Sequence, residues 1–369
     1  MASVFERQLK RLGLYGLSRL ATPPRTGPSE SDLAKVRRIL VVRPDERIGN
    51  AILIIPLLNA LKKRFPNSHL SLIMSRRYWD LREFIPSVDE FIAFDKKHYA
   101  RNPLAFIGLV RRLRRGDFDL VFDASGDHSV SFTHLSITGF SGGRFRIGHN
   151  RGETAHCYDV AVPVSEAPRH ETERHLDLLR AITTIDADPR PLLGDVPDTG
   201  FASRLWNEHN WSGGIPTVIV HPGARGRKRW PALHFAEVAR QLVTSGHQVG
   251  VVWGPADSEA AREMLSACPQ DVKAIGVLAF RDFVSLIRHS DVFFSGDCGP
   301  MHLAAAAPPR AGVVTVFVID GISRYGPLGP RDVAIVDEPG SPRIEAIVSR
   351  IAALAGRSQE AVHARSITA

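Results

Sequence analysis

Short apolar runs alternate with longer amphipathic stretches along most of this chain. In the first half, residues 36–42 read as a strand and 49–65 as a helix ended by Pro66. Residues 69–74 and 91–94 read as strands, the second after a PSVDE turn. Residues 103–115 read as a helix whose basic residues gather at its C-terminal end, where the helix dipole favours them. Strands are expected at 118–122 and 144–147, and a helix at 170–182. The second half repeats the alternation, with strands at 217–220, 248–253, 291–294 and 312–319. Its helices are expected at 232–245, 258–267, 282–289, 299–307 and 344–355. This rhythm predicts an α/β chain with two Rossmann-like, doubly wound domains facing across a cleft.

Residues 1–35 stand apart. Phe5, Leu9, Leu12 and Leu20 form an apolar stripe beside Arg7, Lys10, Arg11 and Arg19. Such a helix either lies in a membrane interface or packs on its own domain. ATPPRTGPSESD then reads as a linker. We expect an acceptor-side domain at 36–190, a Pro/Asp/Gly-rich linker over 185–200, a second domain at 200–355 and a flexible tail at 356–369.

Composition narrows the class. The chain has 369 residues, 44% hydrophobic and 23% charged, as a soluble protein with two cores would have. No run approaches the roughly 20 apolar residues of a spanning helix, and no signal-peptide pattern opens the chain. A cytoplasmic protein is expected. Cys157, Cys268 and Cys298 lie too far apart for a disulfide framework or a zinc site, which fits a reducing compartment. The net charge of +8 suggests an anionic partner: nucleic acid, an acidic membrane surface or a phosphorylated substrate. No helix-turn-helix, zinc finger or RNA-recognition signature is present, so nucleic acid is not expected.

Three turns carry candidate chemistry. At the first strand-to-helix turn, Arg47-Ile48-Gly49-Asn50 offers a glycine for close ligand approach and a helix N-terminus. The alternative is a tight turn with Asn50 capping the helix. The spacing is not GxGxxG, so the dinucleotide fingerprint is absent. The second turn, HPGARGRKRW, clusters Arg225, Arg227, Lys228 and Arg229 before Trp230-Pro231. Proline suits a first helical turn. Clustered cations would hold a diphosphate and offset leaving-group charge; the alternative is a solvated basic loop.

The third turn, SGDCGPMHLAAA over 295–306, sets Asp297 and Gly299 between a strand and a small-residue helix. Asp297 either binds sugar hydroxyls, orients phosphate-binding groups, or caps the helix. Cys298 sits where a thiol pKa can fall, or is simply a small turn residue. His302 reads as structural. Asp117-Phe118-Asp119 imitates a metal-binding DxD but leads into a strand core, so it reads as a turn and no metal is expected.

Taken together, these turns resemble glycosyltransferase family 9, the ADP-heptose:lipopolysaccharide heptosyltransferases, over roughly residues 36–350. The motifs are the R-x-D-x-x-x-G turn with a following PLL, then PSVDE, FDLVFD, RIGH, HPGA…KRW, WG, GDCGPMHLAAA and RYGPLGP. The resemblance implies a GT-B fold and metal-free, inverting displacement at the anomeric carbon. It implies an acceptor on the N-terminal domain, near Arg47, Gly49 and Asp123. It puts the donor on the C-terminal domain, with Lys228 neutralising the diphosphate and Gly223 in the same motif. The backbone at Gly299, Pro300 and Met301 would cradle the phosphates, with Cys298 and His302 in that turn. Asp297 would bind the sugar or phosphate region, and Glu259 the ribose. No cofactor is implied beyond the nucleotide sugar, ADP-heptose, as substrate. The implied acceptor is a lipid-linked or phosphorylated glycan at the inner face of the cytoplasmic membrane.

Two positions depart from the family. Its general base, an aspartate after the first-turn glycine, is Asn50 here, and an amide cannot take a proton. A base contributes about 10²- to 10⁴-fold. Asp45 or Glu46, Asp123 or Asp127, or a water or the acceptor's own charge would have to replace it; Asp45 is preferred. Cys298 stands where the family usually has a hydroxyl, a better donor than a thiol. A different nucleotide-sugar donor, or a non-catalytic nucleotide-sugar-binding protein, are the alternatives.

Overall fold

The computed structural model describes residues 26–126, 130–152, 154–337 and 342–367, side chains of 357–367 excepted. The chain divides into two compact units, Met1–Pro189 and Arg190–Ala369. In the first unit the strands are β1 (Arg38–Arg43), β2 (His69–Ser75), β3 (Glu90–Phe94), β4 (Leu120–Asp123), β5 (Phe145–Asn150) and β6 (Val160–Pro163). They pair, all parallel, in the order β3-β2-β1-β4-β5-β6. In the second unit they are β7 (Thr217–His221), β8 (Gln248–Val252), β9 (Val272–Gly276), β10 (Val292–Gly296), β11 (Gly312–Phe317) and β12 (Val333–Val336). Read as β9-β8-β7-β10-β11-β12, this parallel sheet repeats the first unit's order.

Parallel sheets need both faces covered, so their central strands are apolar throughout. Ile39 to Val42 of β1 and Val292 to Phe294 of β10 are 0% exposed. In the second unit Phe235, Phe294 and Trp230 pack with Ile347 and Ile351 of the last helix. Each such side chain contributes about 1.5–3 kcal/mol by burial. Trp230 needs a partner for its indole N–H and donates to Asp337 at 2.6 Å.

The strand order reverses between β1 and β4, and again between β7 and β10. At such a switch point the turns after two adjacent strands diverge and leave a crevice for ligands. Asp117-Phe118-Asp119, read as a turn, is part of the scaffold: Asp119 accepts the N–H groups of Arg37 and Arg38 at 2.7 and 3.0 Å, and Asp117 turns the chain at φ 46°.

Several elements differ from expectation. The single helix expected at 49–65 is two, Ile48–Leu53 and Ile55–Arg64. Pro56 has no N–H to return to the Ile52 carbonyl, so the helix breaks there. The last helix runs Ile344–Ile367 instead of giving way to a tail at 356. Gly356 costs about 1 kcal/mol in a helix, but no proline follows to end it. Helices Phe132–Phe140 and Phe201–Glu208 and edge strands β6, β9 and β12 were not anticipated. The apolar stripe of residues 1–20 lies outside the described residues.

Candidate functional site

In the second unit the switch point joins the turn after β7 to the turn after β10. A short 3-10 turn, Gly226–Lys228, carries the lysine to Asp297, with Nζ 2.5 Å from Oδ2. The carboxylate is 7% exposed and the lysine side chain 43%. Asp297 is also tied by its backbone N–H to the Val316 carbonyl at 3.2 Å. A fixed, buried carboxylate therefore aims a cation whose remaining donors stay open. The Tyr325 ring lies 5.1 Å from the ammonium, and His302 meets that ring edge-on at 6.4 Å. Arg225 and Arg227 are exposed in the same turn, and Arg229 donates to the Ala224 carbonyl at 3.2 Å.

Beside this pair the helix Gly299–Ala306 begins, with Pro300 in its first turn. First-turn amides have no intrahelical acceptor and suit an anion. Met301 is fully buried, so only its backbone faces this role. Cys298, not Asp297, is the N-cap, and it makes no side-chain cap bond. The capping reading of Asp297 therefore fails, because its carboxylate is engaged by Lys228. The activated-thiol reading of Cys298 fails too: burial pushes the thiol up to about 12, so it stays protonated.

The thiol instead packs on His221, with Sγ 3.9 Å from Nδ1. The Gly223 N–H donates to that nitrogen at 3.1 Å, which assigns the ring proton to Nε2. Nε2 faces Asp257 Oδ2 at 3.9 Å, and burial lowers the pKa of His221, so the ring is neutral. A Cβ on Gly223 would lie 2.3 Å from Asp257 Cγ, so any larger residue there must displace the Asp257 carboxylate. Glu259 is exposed in the first turn of Ser258–Ser266, the helix after β8.

The first unit's switch point is built differently. Arg43, 2% exposed, donates to the Ala124 carbonyl and holds Asp45 Oδ2 at 3.0 Å from Nε. His134 Nε2 stands 3.6 Å from the same oxygen, and His134 Nδ1 lies 2.8 Å from Ser131 Oγ, the cap of Phe132–Phe140. Burial alone would raise the Asp45 pKa. The adjacent His134 ring and the charge of Arg43 outweigh it and hold this carboxyl well below the usual carboxylate range. Its side chain remains 30% exposed.

Asp123, expected on the acceptor side, is enclosed. It accepts from the Ser125 N–H at 2.9 Å, Ser125 Oγ at 2.5 Å and the Tyr158 hydroxyl at 2.6 Å, with no exposure left. Its carboxylate ties the end of β4 to Tyr158, just before β6, and faces no solvent in this unit. Asn50 is the third residue of Ile48–Leu53 and cannot cap it; Arg47 holds the cap position and is exposed, and Gly49 is buried. Asn50 and Asp45 thus flank the same turn. Glu46 is exposed and its carbonyl takes the Tyr78 hydroxyl at 2.8 Å. Asp127 lies outside the described residues. Among the described residues no three His, Cys, Asp or Glu side chains group as a metal site.

Sequence reasoning missed Arg43, His134, His221, Asp257 and Tyr325 as parts of these sites. Arg43, His221 and Tyr325 stood inside quoted motifs, the first-strand R-x-D turn, HPGA and RYGPLGP. His134 had no local signal, because only the adjacency of β1 and β4 brings its helix to Asp45.

Residues 107–347 match the family model for glycosyltransferase family 9 (heptosyltransferase). Lipopolysaccharide heptosyltransferase 2 of Escherichia coli K12 is 29% identical over 283 residues, covering 73% of this chain and 80% of that one. Lipooligosaccharide heptosyltransferase 2 of Haemophilus ducreyi is 23% identical over 321 residues, covering 79% and 84%. Among solved structures, E. coli ADP-heptose lps heptosyltransferase II aligns with TM-score 0.68 at 21% identity, covering 87% and 99%. E. coli heptosyltransferase WaaC with ADP aligns at 0.66 and 18%, covering 86% and 100%. The two six-stranded parallel sheets share the fold of these enzymes, GT-B. With a match spanning well over half its length, this chain belongs to glycosyltransferase family 9, the heptosyltransferases.

Proposed function

We propose that this protein transfers a heptose from ADP-heptose to a lipopolysaccharide-type acceptor, by inverting displacement and without a metal. The observation that carries this reading is the Lys228–Asp297 pair at the second unit's switch point. The names of the relatives, lipopolysaccharide heptosyltransferase 2 among them, support the substrates.

The donor diphosphate lies between Lys228 and the first-turn amides at Gly299 and Met301. Asp297 holds Lys228 in place before the reaction, so charge building on the leaving diphosphate meets a cation already oriented. Gly223 and the His221–Asp257 contact set the turn that carries Lys228, and Glu259 lies along the same strand edge for the ribose. On the first unit, Asp45 stays ionised and, as a weak base, takes the proton of the acceptor hydroxyl late, when that oxygen's new bond to carbon has made the proton acidic. That oxygen attacks the anomeric carbon, the bond to the diphosphate breaks, and ADP leaves with the electron pair. Asn50, one turn away, orients the hydroxyl by hydrogen bonding, and Arg47 faces a phosphorylated acceptor. The acceptor is lipid-linked, which puts the reaction at the inner face of the cytoplasmic membrane.

Calorimetric titration with ADP-heptose, ADP and UDP-, GDP- and dTDP-sugars tests the donor. ADP-heptose and ADP alone should bind, and Lys228→Ala should cut turnover by about 10²- to 10³-fold. Selective binding of another nucleotide would keep the phosphate site and discard heptose. Unchanged kinetics in Lys228→Ala would remove the phosphate role.

A further inference from the structure

The first unit carries a surface that sugar transfer does not explain. After β3 the chain forms two consecutive helices, Lys96–Arg101 and Pro103–Arg115. Between residues 96 and 115 stand Lys96, Lys97, Arg101, Arg111, Arg112, Arg114 and Arg115, with no aspartate or glutamate. Arg112 pairs with Glu90 at 2.7 Å and Arg114 donates to the Phe140 carbonyl; the other five are exposed. Asp95, at the edge of this stretch, is spent capping its first helix through the Lys97 and His98 N–H groups.

The second helix has two apolar faces. Leu109 and Leu113 are buried against the sheet. Leu104 and Ile107 point the other way and are 78% and 44% exposed, at helical spacing with Gly108 and Arg111. Large aliphatic side chains left in water between cations are the pattern of an interfacial helix. Nucleic acid would match the charge but offers nothing to Leu104 and Ile107. Position adds a reason. Lys96 and Lys97 follow the carboxyl end of β3, and Arg76 and Arg77 follow that of β2. Asp45 and Arg47 follow β1 at this same edge, two strands over, about 10 Å away.

We propose that residues 96–111 dock this unit on a bilayer containing anionic phospholipid, with the Asp45 edge of the sheet turned towards it. The cations meet the lipid headgroups while Leu104 and Ile107 enter the interface. This inference stands on the surface alone and holds whichever sugar is transferred.

The test is flotation of the full-length protein with vesicles of phosphatidylcholine alone or mixed with phosphatidylglycerol. Binding should appear only with the mixed vesicles and fall as salt rises. Combined Lys96→Glu, Lys97→Glu and Arg101→Glu should weaken it at least about tenfold. Leu104→Asp with Ile107→Asp should do the same while nucleotide binding and the melting temperature stay at parent values. If that pair lowers the melting temperature, Leu104→Gln with Ile107→Gln carries the test. Undiminished binding in these variants would overturn the proposal, as would equal binding to neutral vesicles. It would also fall if the substitutions instead abolished self-association or generic DNA binding.

Discussion

The two units share one strand order but use their switch points in opposite ways. In the second, a buried carboxylate (Asp297) aims an exposed cation (Lys228). In the first, a buried cation (Arg43) and a buried histidine (His134) aim a partly exposed carboxylate (Asp45). Each site hides the charge that holds and shows the charge that works. The scaffold therefore does not decide the chemistry; the sign of the group left facing solvent does. On the function proposed above, one unit serves an anion and the other a group that gives up a proton.

Asp45→Asn is the strongest way to break this comparison. It keeps the shape and removes the charge, so turnover should fall about 10²- to 10⁴-fold. Donor affinity, set in the other unit, should stay the same by calorimetry. Full turnover would make Asp45 a structural anion only. Gly223→Ala tests the second unit. Its Cβ would press on Asp257, so unfolding in denaturant should show a loss of about 1–3 kcal/mol, with weaker nucleotide binding as the Lys228 turn shifts. Parent-like stability would mean the turns are not locked together.

The smallest effect is in acid. The Asp45 pKa is held below its unfolded value, so the unfolded chain binds more protons there. Its contribution to stability is present above the ordinary aspartate value of about 3.9 and is lost as pH falls through the folded pKa. The stability gap between parent and Asp45→Asn, measured by denaturant unfolding, should narrow as pH drops. A constant gap would mean that Arg43 and His134 do not favour the charged form.

What could be read in advance follows the physics of each element. The central strands were legible because two buried faces leave continuous apolar runs, as in β1 and β10. The edge strands β6, β9 and β12 were not, since each packs on one side only and mixes exposed positions into four or five residues. Phe132–Phe140 was hidden by its β-branched residues and glycine, which tertiary packing overrides. At the sites, Lys228 and Asp297 announced themselves through their turns. Their mutual contact did not, because it depends on β7 lying beside β10. The same holds for Arg43: the Pro44-Asp45-Glu46-Arg47 run after it reads as a solvated turn, and only β4 lying beside β1 buries its guanidinium. Asp123 misled for the converse reason: a carboxylate at a strand end looked available until Ser125 and Tyr158 enclosed it.

The bond from Arg43 to the Ala124 carbonyl joins residues 81 apart in sequence. During synthesis β1 can pair with β2 long before β4 exists, because chain closure over a shorter segment comes first. The Asp45 turn is thus made early and seated late. Until β4 arrives, Arg43 lacks its carbonyl and the carboxylate it steers has no fixed direction. The fixed direction of Asp45 is in that sense among the last things this unit acquires as it folds, and a nascent chain that stalls before residue 124 carries Arg43 and Asp45 but neither the Ala124 carbonyl nor the His134 ring that order them.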